Sequence, residues 1–180
     1  DMDFPEGFDN MLRDELKKMA DLSLSIEEEA FLKNKMSYLP PTYIDFLKGF
    51  RFDPREVQVT IKEGKLHVLA TGLLYRITLW ETPILAIVSE LYFKVTGKIP
   101  DISYMERRAI EKAQMMKDHG IVFSLFGMRR RFSFAVEDRV TDLLKKYSGT
   151  NFFGTSNVYL AFKHNLNPSG THPHEWVQFH

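Results

Sequence analysis

The chain has 180 residues, 44% of them hydrophobic, and 24 Lys+Arg balance 24 Asp+Glu, leaving a formal net charge of zero. A chain of this length is about one domain, able to bury roughly 70% of its unfolded surface without staples, and its neutral balance argues against a nucleic-acid partner, which calls for a net basic face. The absence of Cys excludes disulfides, thiolate metal sites and Cys nucleophiles and suits a reducing cytoplasm, and the most apolar stretch, Ile77 to Val95, is interrupted by Glu81, Glu90 and Lys94 and falls short of a membrane span.

Helical spacing of Phe8, Leu12 and Leu16, with Met11 and Met19 beside them, predicts a first helix. Ser25 with Glu28 three residues on forms a capping box for a second helix through Phe31, Leu32 and Lys35, which Pro40-Pro41 stops. Tyr43 to Leu47 makes a short third helix before Phe52-Asp53-Pro54 turns the chain. Val57, Val59 and Ile61 alternate with polar residues, Glu63-Gly64 supplies a turn, and Leu66, Val68 and Ala70 resume the alternation: a hairpin with one buried face. Thr82 reads as an N-cap and Pro83 as the first position of a buried apolar helix through Ile84, Leu85, Ile87, Val88 and Leu91. A second capping box, Ser103 and Glu106, opens a helix with the stripe Met105, Ala109, Ala113 and Met116, ending at Gly120.

Beyond Gly120 the pattern changes to β-α units. The apolar run Ile121 to Phe126 predicts a parallel strand covered on both faces, followed by a helix from Ser133 to Tyr147. Asn151 to Gly154 with Val158 to Phe162 reads as a second unit, capped by Thr155, Ser156 or Asn157, and Pro168 to Thr171 with His174 onward as a third. The expected class is α/β: an α+β N-terminal part over residues 1–120, a helix-and-hairpin domain with connecting helices, then over 121–180 the first β-α units of a barrel or doubly wound sheet. The chain starts without Met, carries no basic-then-apolar leader, and ends at His180 with no stop signal after an amphipathic stretch, so it reads as a piece of a larger two-domain enzyme.

In parallel α/β folds the site forms at the C-terminal strand ends, which selects Phe126 to Arg131, Gly154 to Asn157 and Gly170 to Glu175. Their shared chemistry is anion handling: Gly127 and Gly170 open the backbone, Thr155, Ser156 and Thr171 bring hydroxyls, Asn157 a cap, and Arg129 and Arg130 guanidinium forks. Each has a structural reading beside it. Arg129 to Arg131 also fits a solvated helix start, Phe126 a core residue, and His174 a satisfied surface or core imidazole rather than a base, a phosphate ligand or a phosphorylation acceptor. Zinc hydrolysis lacks its motif, because His180 lies six residues after His174.

Tyr38-Leu39-Pro40, Phe50-Arg51-Phe52-Asp53-Pro54, Leu79-Trp80-Glu81-Thr82-Pro83, Phe126 to Ser133, Gly154-Thr155-Ser156-Asn157 and Gly170 to Trp176 together, in this order, resemble nicotinate phosphoribosyltransferase. The resemblance implies an irregular α/β barrel behind a small N-terminal domain, in a family about twice this length, of which the chain is the middle. It implies formation of nicotinate mononucleotide and pyrophosphate from nicotinate and phosphoribosyl pyrophosphate in NAD salvage, with Mg²⁺ and ATP hydrolysis, by a cytoplasmic homodimer without nucleic-acid or membrane partners. By resemblance Phe126 stacks on the pyridine ring, Arg129 meets phosphoribosyl or pyrophosphate oxygens, Thr155, Ser156 and Thr171 line the ribose-phosphate site, and His174 is the histidine phosphorylated from ATP. The chain departs from the family at Met128, where many members carry Thr, and so lacks that hydroxyl. The rival readings are nicotinamide or quinolinate phosphoribosyltransferase, or an inactive fragment or interaction module. Ser156 favours nicotinate, because nicotinamide-specific relatives place there an Asp that would repel a carboxylate.

Overall fold

A computed structural model describes residues 3–171 as mixed helix and sheet. Over these residues the chain packs as two compact units, one of residues 3–101 with 128–137 and one of 102–127 with 138–171.

The first unit is built on α1 (Phe8–Lys18) and a hairpin. Phe8, Leu12 and Leu16 recur every four residues, fall on one helix face and are almost fully buried, at 0, 0 and 2% exposure. Helix α2 (Ile26–Lys35) opens with the expected capping box: Ser25 Oγ accepts from the Glu28 amide at 3.1 Å, and the Ser25 amide donates to Glu28 Oε2 at 2.8 Å. Pro40-Pro41 does not stop α2, which has already ended at Lys35; Pro41 instead opens α3 (Pro41–Gly49), where its missing N–H has no intrahelical partner to lose.

Strands β1 (Val57–Lys62) and β2 (Lys65–Ala70) pair antiparallel from Val57↔Ala70 to Lys62↔Lys65. Glu63 and Gly64 both adopt positive φ, 50° and 74°, the type I′ geometry whose twist matches the strands. Val57 and Val59 join Phe8, Leu12, Leu16, Trp80, Ile84 and Leu91 in one apolar cluster. Trp80 is fully buried and its Nε1 donates to Glu56 Oε2 at 3.0 Å, while Arg76 Nε donates to the other carboxylate oxygen at 2.5 Å. The Arg76 contact holds the Glu56 carboxyl below its usual range against the opposing effect of burial, and Trp80 adds to it.

A short helix α4 (Leu74–Ile77) and a 3₁₀ turn lead straight into α5 (Glu81–Val95). Thr82 is therefore not the cap: the helix begins at Glu81, two residues earlier than expected, behind Trp80, which makes no capping hydrogen bond. Pro83 stays harmless inside the first turn, where amides have no partner four residues back. Burial of α5 is confined to Ile84, Ala86 and Leu91, with Leu85 41% exposed.

In the second unit, α6 (Ile102–Asp118) already includes Ser103, so Ser103 and Glu106 form no capping box; Glu106 pairs instead with Arg139 at 2.6 Å. Ala109 and Ala113 bury the helix stripe, and Gly120, at φ 63°, ends it as expected. The run Ile121 to Phe126 yields a strand, β3 (Phe123–Leu125), shorter than expected and not covered on both faces, with Ile121, Val122 and Phe126 46, 65 and 52% exposed. Among the described residues β3 is an edge strand in the order β3-β4-β5, paired only to β4 (Phe152–Thr155), so its apolar flanks find no neighbour. Helix α7 (Phe134–Ser148) starts where Ser133 Oγ accepts from the Val136 amide at 3.2 Å.

Strand β5 (Asn167–Pro168) continues the sheet in parallel. Gly154 is required here by close approach: a Cβ on it would lie 1.8 Å from the Asn167 carbonyl oxygen. Asn157 is the cap of α8 (Val158–Lys163), its Oδ1 accepting from the Leu160 amide at 3.2 Å. Asp138 ties α7 to the end of α8 through Lys163 at 2.5 Å and His164 at 2.7 Å. The helix expected from His174 lies outside the described residues. No helix among the described residues is long and apolar enough to cross a membrane.

Candidate active site

The parallel sheet brings three loop origins to one edge. Leu125 pairs with Thr155 and Thr155 with Pro168, so the three strands end level with one another. Two further bonds extend the ladder past the strand ends: the Ser156 amide donates to the Leu125 carbonyl and the Ser169 amide to the Thr155 carbonyl, each at 3.0 Å. Phe126-Gly127, Ser156 and, one and two residues past Ser169, Gly170 and Thr171 thus leave from neighbouring strands spaced about 4.8 Å apart.

Within this edge the side chains divide into two groups. Thr155 is fully buried and its Oγ1 accepts from the Asn157 amide at 3.1 Å; Asn157, 2% exposed, caps α8. These two shape the loop from inside. The other group faces outward. Phe126 is 52% exposed, Ser156 is half-buried, and Gly170 and Thr171 are exposed. A Cβ at Gly127 or Gly170 would meet nothing within 4 Å, so neither glycine is demanded by packing and both leave backbone open. The edge is therefore an aromatic face beside hydroxyls and accessible amides, a set of groups suited to a flat ring carrying a phosphorylated substituent.

Arg129 and Arg130 follow Gly127 in the chain and belong to the first unit, where the segment 128–137 is docked on α5. Ser89 Oγ donates to the Arg131 carbonyl at 2.9 Å, Glu90 Oε2 accepts from the Phe134 amide at 3.0 Å, and Phe93 stacks on Phe132 with centroids 4.1 Å apart. This docking separates three consecutive arginines. Arg131, its side chain only 14% exposed, pairs with Glu137 at 3.1 Å and Glu90 at 3.4 Å and lies over the Phe134 ring, so it is a structural tie. Arg130 is exposed, and Arg129 reaches Glu81 at 2.8 Å with both side chains 57% exposed. Sequence reasoning missed Glu81 and Glu90 because a helix partner 48 or 44 residues distant leaves no local periodic signal.

Among the described residues no cluster of three or more His, Asp or Glu could hold a metal ion. The described residues of the edge offer hydroxyls and amides, donors suited to an anion. His172, His174 and His180 lie outside the described residues.

The chain matches the family model described as the nicotinate phosphoribosyltransferase N-terminal domain over residues 1–89 and that of the nicotinate phosphoribosyltransferase family over residues 121–180. It belongs to the nicotinate phosphoribosyltransferase family. A curated nicotinate phosphoribosyltransferase from Chromohalobacter salexigens is 44% identical over 98% of this chain and 46% of its own length. The crystal structure of nicotinate phosphoribosyltransferase from Porphyromonas gingivalis superimposes with a TM-score of 0.95 at 57% identity, over 99% of this chain and 46% of that one. A putative nicotinate phosphoribosyltransferase from Saccharomyces cerevisiae gives 0.89 at 30% identity. The chain thus spans a little under half the length of these family members.

Proposed function

We propose that the full-length protein carrying this chain transfers the phosphoribosyl group of phosphoribosyl pyrophosphate to nicotinate, giving nicotinate mononucleotide and pyrophosphate in NAD salvage. The observation that carries this reading is the level ending of three adjacent parallel strands with Phe126, Ser156 and Thr171 leaving from one edge, in a chain of this family.

Phe126 stacks on the pyridine ring of nicotinate. The ring nitrogen attacks the anomeric carbon as the carbon–oxygen bond to pyrophosphate breaks, through an oxocarbenium-like state. Catalysis of that step rests on holding the two substrates in line and on stabilising the departing charge. Gly127, Gly170, Ser156 and Thr171 offer amide and hydroxyl donors to the ribose phosphate, with Thr155 and Asn157 holding the loop that presents Ser156. Arg129 and Arg130 meet phosphate oxygens. Were Mg²⁺ bound with the pyrophosphate group it would supply charge neutralisation, and no cluster among the described residues would ligate it. His174 accepts a phosphoryl group from ATP, an imidazole nitrogen bonding to the γ-phosphorus as ADP leaves. The protein works as a homodimer in the cytoplasm.

The test is product formation by the full-length protein from phosphoribosyl pyrophosphate and Mg²⁺ with nicotinate, nicotinamide or quinolinate in parallel, each with and without ATP. Nicotinate use stimulated by ATP is expected, with the stimulation absent in His174→Ala. Preference for another base overturns the substrate assignment, and no reaction with any base overturns the activity. The 180-residue chain alone is expected to be inactive.

A further inference from the structure

Arg129 makes one ion pair where Arg131 makes two. Its Nη1 donates to Glu81 Oε1 at 2.8 Å, and the rest of its guanidinium makes no hydrogen bond among the described residues. Glu81 is not needed to hold the segment in place, because Ser89, Glu90 and Phe93 dock 131–134 on α5 independently. Nor does it balance a buried charge, since both side chains are more than half exposed. What remains is an exposed carboxylate beside a guanidinium whose other N–H groups make no hydrogen bond among the described residues.

We infer that Glu81 is a counter-charge that weakens the hold of Arg129 on phosphate groups in proportion to their charge, and so eases release of the pyrophosphate product. This rests on the reading of Arg129 as a phosphate-binding residue. The carboxylate has two effects on a bound anion. It orients the guanidinium, which helps every anion alike, and it repels the anion, by an amount that grows with the anion's charge. For a pyrophosphate with several charges the repulsion exceeds the orienting effect, because a single contact between exposed side chains orders little. Glu81 is thus a specificity-determining residue acting through Arg129, and touches no substrate itself.

The test is titration of the full-length protein with pyrophosphate and with orthophosphate, at low and high salt, for wild type, Glu81→Gln, Arg129→Ala and the double variant. Glu81→Gln is expected to bind pyrophosphate about fivefold more tightly at low salt, the factor that one unit-charge contact in water represents. Orthophosphate gains less, salt erodes the gain, and the gain disappears in the Arg129→Ala background. Weaker binding, equal factors for both anions, or a gain that persists without Arg129 overturns the inference. Unchanged pyrophosphate affinity in Arg129→Ala alone overturns instead the reading of Arg129 as a phosphate residue, so the two failures are separable. A merely structural role for Glu81 would not produce a gain that scales with ligand charge.

Discussion

The two sheets of this chain are built to different ends. The β1-β2 hairpin pairs over its whole length, turns on two residues in one geometry and presses Val57 and Val59 into a cluster with Phe8, Leu12 and Trp80. The β3-β4-β5 sheet pairs over few residues and ends on groups that its own packing does not use: a half-exposed Phe126, a half-buried Ser156, and open backbone at Gly127 and Gly170. The first arrangement spends its side chains on stability. The second holds a set of outward groups in register, which is what a binding edge requires.

That contrast breaks most readily in the core. Leu12→Ala, at a fully buried position of the hairpin cluster, is expected to cost about 2–5 kcal/mol, read as a fall in the urea midpoint of the full-length protein, with base affinity unchanged in the protein that remains folded. Gly154→Ala attacks the other sheet, since the new Cβ meets the Asn167 carbonyl oxygen at 1.8 Å and β5 must move. Its loss is expected to show in phosphoribosyl pyrophosphate affinity as well as stability, because the shift displaces Gly170 and Thr171 from the edge. Preserved affinity in a stable Gly154→Ala protein would mean the strand register does not set the site.

Smaller effects sharpen the picture on the first unit. Ser25→Ala removes one half of the α2 capping box and should lower stability by about 1 kcal/mol without altering ligand affinity. The smallest is a pH effect at Asp53, where the side-chain and then the backbone hydrogen bonds of Arg55 hold the carboxyl at about 2, below its ordinary value. A carboxyl depressed in the folded state stabilises fully above its unfolded pKa of about 3.9 and loses that contribution as pH falls through the folded value. Urea midpoints measured between about pH 2 and pH 6 should therefore fall less steeply for Asp53→Asn than for wild type; identical slopes would remove Asp53 from the acid response.

Much of the fold was written locally. The α1 stripe, the Ser25–Glu28 box, the hairpin with its Glu63-Gly64 turn and the stop at Gly120 each rest on residues within one turn or one hairpin of each other. The misreadings share a cause. Thr82 and Ser103 are locally good caps, yet α5 and α6 have already begun at Glu81 and Ile102, and Pro41 opens a helix where it was read as stopping one. The run Ile121 to Phe126 was apolar enough for a covered strand, yet its length in the sheet depends on which other strands are there to pair. For the candidate site, the strand-end rule selects Phe126, Ser156 and Thr171, which leave from one edge of the parallel sheet. It could not tell Arg131, clasped by Glu90 and Glu137, from Arg129 and Arg130, because those partners come from α5 and α7.

The central claim is that the edge of the parallel sheet serves a ligand and not the fold. Calorimetric titration of nicotinate into the full-length protein and its Phe126→Ala variant, each with its melting temperature, tests it most directly. The account predicts a loss of about 1–3 kcal/mol in nicotinate binding, by analogy with stacked bases on aromatic platforms, at an unchanged melting temperature. Unchanged affinity, or a melting temperature lowered as far as by a core truncation, would contradict it and return Phe126 to packing.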